Sequence, residues 1–528
     1  MDVFLRADNA VLRDLLVRNA TTAPGEALVH LEDGSTWTHL DALRYAAGAA
    51  RELRAAGVRQ GDAVAVGLGN SGAFLRAWWG AAVLGAVLVP VNPTHRGPLL
   101  RRLLDLSRPT AVVSDGELAQ RIQAESGHRD FVLLTPVDVA RADRVLPDLE
   151  RPLEAWDTHG LILTSGTTGP SKLVRTTYAQ HAQAGAATLD SWAFGPDDTY
   201  LCDLPLYHVA AINTTFHMIR SRSRIALRSR PQLNAYWEVA RDTQATYAHI
   251  YSTVMAYLQA QPPRGAEHEH RLRLVSMIPL PADVESFRRR FGIGHISTSW
   301  GSTEAAGAVI GPDSAELPPR SCGRIRPGWH VRLVDAFDSE VPEGTAGEAI
   351  VRCDSPWMIA AEYVGAPSAT AAAWRNGWFH TGDLLRRDDE GVYYFVDRLK
   401  DSLRRRGQNV SSYEVETVIQ AYPGVLEVAV VPERSDAAAE DEVKAWIVVE
   451  HQAAIDFGDL LRYCASNLPH YMVPRYFELA VTFDKTPTGK IRKEVLVQRG
   501  SAHSTWDRRA HGIEVTRRGV ERFEEEVP

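Results

Sequence analysis

The nine residues Thr164-Ser165-Gly166-Thr167-Thr168-Gly169-Pro170-Ser171-Lys172 follow directly on the apolar run Leu161–Leu163. Glycines let a backbone come close to a bound anion. Exposed N–H groups and hydroxyls supply donors, and a lysine adds a compact positive charge. A loop of this make-up after a short strand is suited to holding phosphate. It is not the G-x-x-x-x-G-K-[ST] loop of P-loop NTPases. Gly166 and Gly169 are three apart, and Leu173 rather than Ser or Thr follows Lys172. That spacing argues against a simple kinase or ATPase.

Other short segments carry groups of matching chemistry. Ser299-Trp300-Gly301-Ser302-Thr303-Glu304 sets an aromatic face, a hydroxyl and a carboxylate close together. A carboxylate is a hard oxygen ligand suited to Mg²⁺ shared with substrate phosphates, and an aromatic face suits a planar base. His380-Thr381-Gly382-Asp383 places a short acceptor after a glycine. Arg398, Lys400, Arg404, Arg405 and Arg406 form a basic run that ends at Gly407. Pro487-Thr488-Gly489-Lys490 is a turn ending in a lysine.

The elements that must position these groups read as alternating strands and helices. Ala63–Leu68, Val87–Val91 and Ala111–Ser114 are short buried-strand patterns. Between them Phe74, Leu75, Trp78, Trp79, Ala82 and Val83 recur at helical spacing, and Leu99–Leu106 follows as a second helix. Leu161–Leu163, Thr199–Leu204, Ala245–Ile250 and Arg273–Ile278 continue the pattern, and Val331–Val334 and Gly347–Arg352 read as strands around a turn. The polar stretch Gln261–His270 reads as a loop and a candidate boundary. Beyond Asp397 a compact set of short elements follows: Val425–Val431, Ala445–Val449, a helix near Leu460–Leu468, and Tyr476–Val481. The tail after Val497 is charged and reads as partly disordered or as an appendage. The fold class is α/β, with a large N-terminal domain of helix-covered sheets and a small α+β C-terminal domain.

Composition narrows the class. A chain of 528 residues predicts more than one domain, and 45% hydrophobic with 23% charged residues is an ordinary globular balance. The formal charge of -8 argues against nonspecific nucleic-acid binding. Charged residues at Asp2, Arg6 and Asp8 interrupt any secretory signal, and no run is long enough to span a membrane. Cys202, Cys322, Cys353 and Cys464 are too dispersed for a disulfide framework or metal spacing, which predicts a reducing, cytoplasmic setting.

Taken in order, the loop and the four later motifs resemble the signatures of the adenylate-forming superfamily, which includes acyl-CoA ligases, peptide-synthetase adenylation domains and firefly-type luciferases. The resemblance spans roughly residues 30–495. It implies that Thr164, Ser165, Gly166, Thr167, Thr168, Gly169 and Lys172 hold the phosphates of ATP. It further implies that Trp300 stacks on adenine, Thr303 contacts phosphate and Glu304 ligates Mg²⁺. Asp383 and Arg398 reach the ribose, with Arg398 also near phosphate. Lys400 is the hinge between domains 1–397 and 398–528, about which the small domain swings. Lys490 bridges the attacking carboxylate and the α-phosphate. Arg404, Arg405, Arg406 and Gly407 line the channel of the acceptor. His208, in Leu204-Pro205-Leu206-Tyr207-His208, resembles a gating residue near the acid.

The activity implied is adenylation of an acid, with coenzyme A as the expected acceptor; an amine or a carrier protein is the alternative. One segment departs from the pattern. Where many relatives carry a Gly-Gly-Ala-Pro-like stretch, this chain has Ser276-Met277-Ile278-Pro279. Bulkier side chains there predict a smaller or reshaped acid pocket, and so a short or unusual acid. That extends to an inorganic acid such as nitrite, activated for coupling to an aryl amine. The hinge segment and the Lys490 motif are most similar to carnitine/crotonobetaine-type CoA ligases.

Overall fold

The computed structural model describes residues 6–127, 130–164, 171–278, 280, 283–305, 307–311, 317–319, 321–398, 402–405, 408–434, 441–449, 455–484, 491, 493–501 and 504–522.

Among these residues the N-terminal part is built on two large sheets. The first has six strands in the order Val132–Leu134, Ala111–Ser114, Ala63–Gly67, Val87–Pro90, Thr158–Thr164 and Lys172–Thr177. All neighbours are parallel except the last pair. Its inner strands, AVAVG and VLVP, are unbroken apolar runs because helices cover both faces.

The second sheet has thirteen strands. One half is parallel, with neighbours Ala27–His30, Arg224–Leu227, Thr199–Cys202, Tyr247–Tyr251, Leu274–Ile278 and His295–Trp300. At His295–Trp300 it turns antiparallel and runs on through Phe379–Arg387 and Tyr393–Arg398.

Helices Gly72–Leu84 and Val209–Ser221 lie in the core that the two sheets share. Gly72–Leu84 starts where Ser71 Oγ accepts from the Phe74 amide and stops at Gly85, whose φ of +75° few other residues adopt. Gly80 lets it approach helix His39–Ala55: a Cβ there would lie 2.6 Å from the Ala49 Cβ. The strands and helices expected between 63 and 114 are present.

The expected loop Gln261–His270 is not a boundary. His270 stacks on Trp237, with ring centroids 5.1 Å apart, and Glu267 pairs with Arg290 at 3.1 Å.

The small C-terminal part has a four-stranded sheet, Val425–Arg434, Asp441–Val449, Tyr476–Leu479 and Trp506–Asp507, with helices Ser412–Gln420, Phe457–Asn467 and Lys493–Arg499. The charged tail is an ordered appendage over its described residues. Trp506–Asp507 adds an edge strand, and Ile513–Thr516 pairs with Gly519–Arg522 as a hairpin. Ion pairs hold it: Arg475 to Asp507 at 2.8 Å, and the fully buried Arg508 to Glu514 at 3.3 Å. Among the described residues no helix is long and apolar enough to cross a membrane.

Candidate active site

The two ends of the glycine-rich loop are fixed by sheet pairing. Strands Thr158–Thr164 and Lys172–Thr177 are antiparallel neighbours, with Thr164 opposite Lys172. Ser165, Gly166, Thr167, Thr168 and Gly169 lie outside the described residues. At the far end, the Ser171 amide donates to Glu414 Oε1 at 2.8 Å, a contact reaching across from the small domain.

Lys172 leads to a residue that no motif marked. Its Nζ lies 4.7 Å from the Tyr363 ring centroid, and the Tyr363 hydroxyl donates to Glu304 Oε1 at 2.7 Å. Residues 362–364 take up this place by pairing beside the Lys172–Thr177 strand. The Val364 amide bonds to the Leu173 carbonyl at 2.8 Å and the Arg175 amide to the Glu362 carbonyl at 3.1 Å. Val174 bridges Tyr363. Burial pulls the Lys172 pKa down, partly offset by the Glu304 charge. Burial raises the Tyr363 phenol, and Glu304 raises it further. Glu304 is 7% exposed, so its charge acts in a poorly solvated place.

Gln180 also went unread. It sits in the first turn of helix Tyr178–Leu189, where its amide is capped by Thr177 Oγ1. Its side-chain amide donates to the Thr303 carbonyl at 2.8 Å and to the Glu304 carbonyl at 3.1 Å. The Ala360 amide adds a second bond to the Glu304 carbonyl at 2.8 Å. The Thr303–Glu304 backbone is thus held from two sides, which fixes where the carboxylate points.

Trp300 and Asp383 are brought together from strands distant in sequence. Trp300 Nε1 donates to Asp383 Oδ2 at 3.0 Å, and both residues are buried. Gly382, at φ +74°, turns the chain just before Asp383, and its amide donates to Glu348 Oε1 at 3.1 Å. Sheet pairing sets Arg398 opposite Asp383. His208 lies at the N-terminal end of helix Val209–Ser221, with its ring 4.9 Å from that of Tyr207.

Two expectations are corrected. Arg405, read as part of an acceptor channel, is 2% exposed inside the small domain. It pairs with Glu442 at 2.7 Å and donates to the carbonyls of Tyr471 and Val473 at 3.1 and 3.0 Å. The reason is strand alternation: in Ser402–Arg405, Leu403 and Arg405 both turn inward, and the Glu442 carboxylate and the two carbonyls compensate the buried charge. Met277, read as an acid-pocket residue, points to the opposite face of its strand from Ser276 and packs in a core cluster with Ile250, Phe287 and Ile296. Ser276 and Ile278 share the other face. Lys400, Arg406, Gly407 and Lys490 lie outside the described residues, as do the side chains of Arg398 and Arg404.

This geometry agrees with what the chain is similar to. The model of the AMP-binding enzyme family matches residues 16–363, more than half of the chain, and that of the AMP-binding enzyme C-terminal domain matches 414–490. A crotonobetaine/carnitine–CoA ligase from Escherichia coli O7:K1 is 30% identical over 463 residues, covering 83% of this chain and 89% of the relative. Among solved structures, an o-succinylbenzoate CoA synthetase double mutant from Bacillus subtilis, bound to a CoA product analogue, superposes with TM-score 0.83. It is 23% identical, covering 92% of this chain and 98% of that one. The B. subtilis enzyme with AMP gives 0.68 at 23% identity, covering 93% and 99%. An amide bond synthetase from Marinactinospora thermotolerans gives 0.79 at 23% identity, covering 92% and 99%. With a matching family model along most of its length, Lys172 joined to Glu304 through Tyr363, and Trp300 bonded to Asp383, this chain belongs to the AMP-binding enzyme family, as an adenylate-forming ligase.

Proposed function

We propose that this protein joins a short acid to AMP at the expense of MgATP, releasing pyrophosphate, and then transfers the acyl group to coenzyme A. The observation that carries the reading is the Lys172–Tyr363–Glu304 contact beside the ends of the phosphate loop. An acid oxygen attacks the α-phosphorus, and the bond from that phosphorus to the bridging oxygen of the β-phosphate breaks. Lys172 neutralises charge on the departing phosphates, and Lys490, by resemblance, does so at the reacting centre. The indole of Trp300 holds the Asp383 carboxylate in place, and a carboxylate so held is suited to accept from ribose hydroxyls. In the second half the thiol sulfur attacks the acyl carbon and AMP leaves.

The residues fit a Mg²⁺ ion. Glu304 offers a hard oxygen, with Tyr363 fixing its orientation from the second oxygen. When bound, the ion supplies charge neutralisation at the phosphates, and Mg²⁺ commonly needs only one or two carboxylates for this.

Coenzyme A is supported as acceptor by the crotonobetaine/carnitine–CoA ligase relative. An amine acceptor is the second reading, favoured by the score of 0.79 with the amide bond synthetase. The test is pyrophosphate release across a panel of small acids and nitrite, each with and without coenzyme A and an aryl amine. Release that depends on one acid, with a thioester formed, supports the first reading. Turnover that needs the amine and ignores coenzyme A supports the second.

A further inference from the structure

Three polar residues stand at one level across neighbouring parallel strands. His249 is opposite Ser276, and Ser276 is opposite Ser297. Their sequence neighbours Ala248, Ile250, Val275, Met277 and Ile296 pack in the core cluster on the other face of the sheet. The three therefore point to the face covered by helix Val209–Ser221, and Thr214 of that helix reaches His249 Nε2 at 2.9 Å. The Tyr247 hydroxyl also reaches Nε2, at 3.1 Å, and is bonded to Ser276.

Two hydroxyls reach the one ring nitrogen Nε2. The tautomer with the ring proton on Nδ1 lets both of them donate to Nε2, and it is the one the proposal uses. Nδ1 makes no hydrogen bond among the described residues, and the residue is only partly buried. Ser297 is fully buried, and its hydroxyl has no partner among the described residues. A buried polar group without a partner is costly, so the unmatched Ser297 hydroxyl calls for a ligand atom, and His249 Nδ1 stands on the same face of the sheet. Burial keeps the His249 ring neutral, with its pKa lowered to about 4. No carboxylate stands in this row to meet a cationic group.

The row lies below the catalytic motif. Ser297 precedes Trp300 by three residues in the same strand, about 10 Å at the usual rise. An acid whose carboxylate reaches the Trp300–Glu304 level spans that distance with only a few carbons. We propose that His249, Ser276 and Ser297 form the floor of the acid pocket and select a short acid bearing an uncharged hydrogen-bond acceptor, such as a hydroxyl or carbonyl oxygen, at the end remote from its carboxylate. This deepens the adenylation reading above and rests on it.

The test uses isosteric pairs: 3-hydroxybutyrate against isovalerate, and 4-hydroxybutyrate against valerate. Two readouts are taken on the full chain: acid-dependent pyrophosphate release, and calorimetric binding of each acid in the presence of a non-hydrolysable ATP analogue. The hydroxy acid of at least one pair is expected to win by about ten-fold or more. His249→Phe, which keeps the ring volume and loses the donor, should bring that ratio close to one, and so should Ser297→Ala. His249→Asn, which offers an amide N–H near the Nδ1 position, should keep it. A merely structural role would lower both acids of a pair alike. Equal use of both acids, or a ratio unchanged in both His249→Phe and Ser297→Ala, overturns the proposal. If no acid releases pyrophosphate, the adenylation reading fails, and the binding preference alone decides the floor: a preference for the hydroxy acid upholds it, and no preference or no binding overturns it.

Discussion

Tyr363 joins the two charges of the site. Its ring lies under the Lys172 ammonium at 4.7 Å, and its hydroxyl donates to Glu304 at 2.7 Å. Removing only that hydroxyl leaves the ring and the stacking in place. Tyr363→Phe should therefore loosen the Glu304 carboxylate and raise the Mg²⁺ concentration needed for half-maximal pyrophosphate release by roughly 10-fold. A Mg²⁺ titration of wild type and variant checks this, and an unchanged titration contradicts it.

Gln180 acts on the same carboxylate through the backbone. Gln180→Leu removes both bonds to the Thr303 and Glu304 carbonyls while keeping the side chain's bulk. The Glu304 carbonyl keeps its bond from the Ala360 amide, so the variant should cost about 1–3 kcal/mol of stability for the Thr303 carbonyl, and lower kcat for pyrophosphate release with it. Thermal melting read beside activity checks both effects. A variant of wild-type melting and rate contradicts the role.

The contact between Ser171 and Glu414 belongs to the arrangement in which the two domains are seen here. Glu414→Ala should slow the transfer half-reaction by about 10-fold or more, and acid-dependent adenylation by less. Lys400→Pro, stiffening the proposed hinge, should give the same division. Single-turnover measurement of each half-reaction checks both. Equal loss in the two halves contradicts the domain-alternation account.

Acid should destabilise the protein through its buried histidines, against the opposite pull of Asp203, whose carboxyl burial raises to about 7. His39 is buried, with neither ring nitrogen hydrogen-bonded, and burial lowers its pKa to about 4. In the unfolded chain it titrates near 6.5. Above pH 6.5 this group is neutral in both states and stability is insensitive to it. As pH falls from 6.5 toward 4, the unfolded chain takes up a proton that the folded chain refuses, so stability falls, by roughly 3 kcal/mol for a fully shifted group. His181, at about 4, and His95 and His217, at about 3, act in the same direction. The melting temperature should fall steeply over this window, and less so in His39→Leu; identical slopes contradict the assignment to His39.

How far the sequence could be read follows from the kind of signal each feature leaves. The strands of the six-stranded sheet are unbroken apolar runs, and Phe74 to Val83 repeat at helical spacing, so both were legible. Trp300, Asp383 and Lys172 were legible as motif residues. That Trp300 bonds to Asp383 was not, because it depends on strand order in a thirteen-stranded sheet. Tyr363 and Gln180 carry no local signal: the first is placed by pairing of 362–364 beside another strand, the second by the start of a helix. Arg405 and Met277 were misplaced for a shared reason. Charge and position in a motif say nothing of which strand face a side chain takes, and in both cases alternation turned it inward.

The most direct test of the central claim is the nucleotide product of MgATP, followed by ³¹P NMR with a panel of short acids, with and without coenzyme A. The account predicts AMP and pyrophosphate in equal amounts, formed only when an acid is present and lost in Glu304→Gln. ADP with inorganic phosphate, or nucleotide turnover indifferent to every acid, would contradict it.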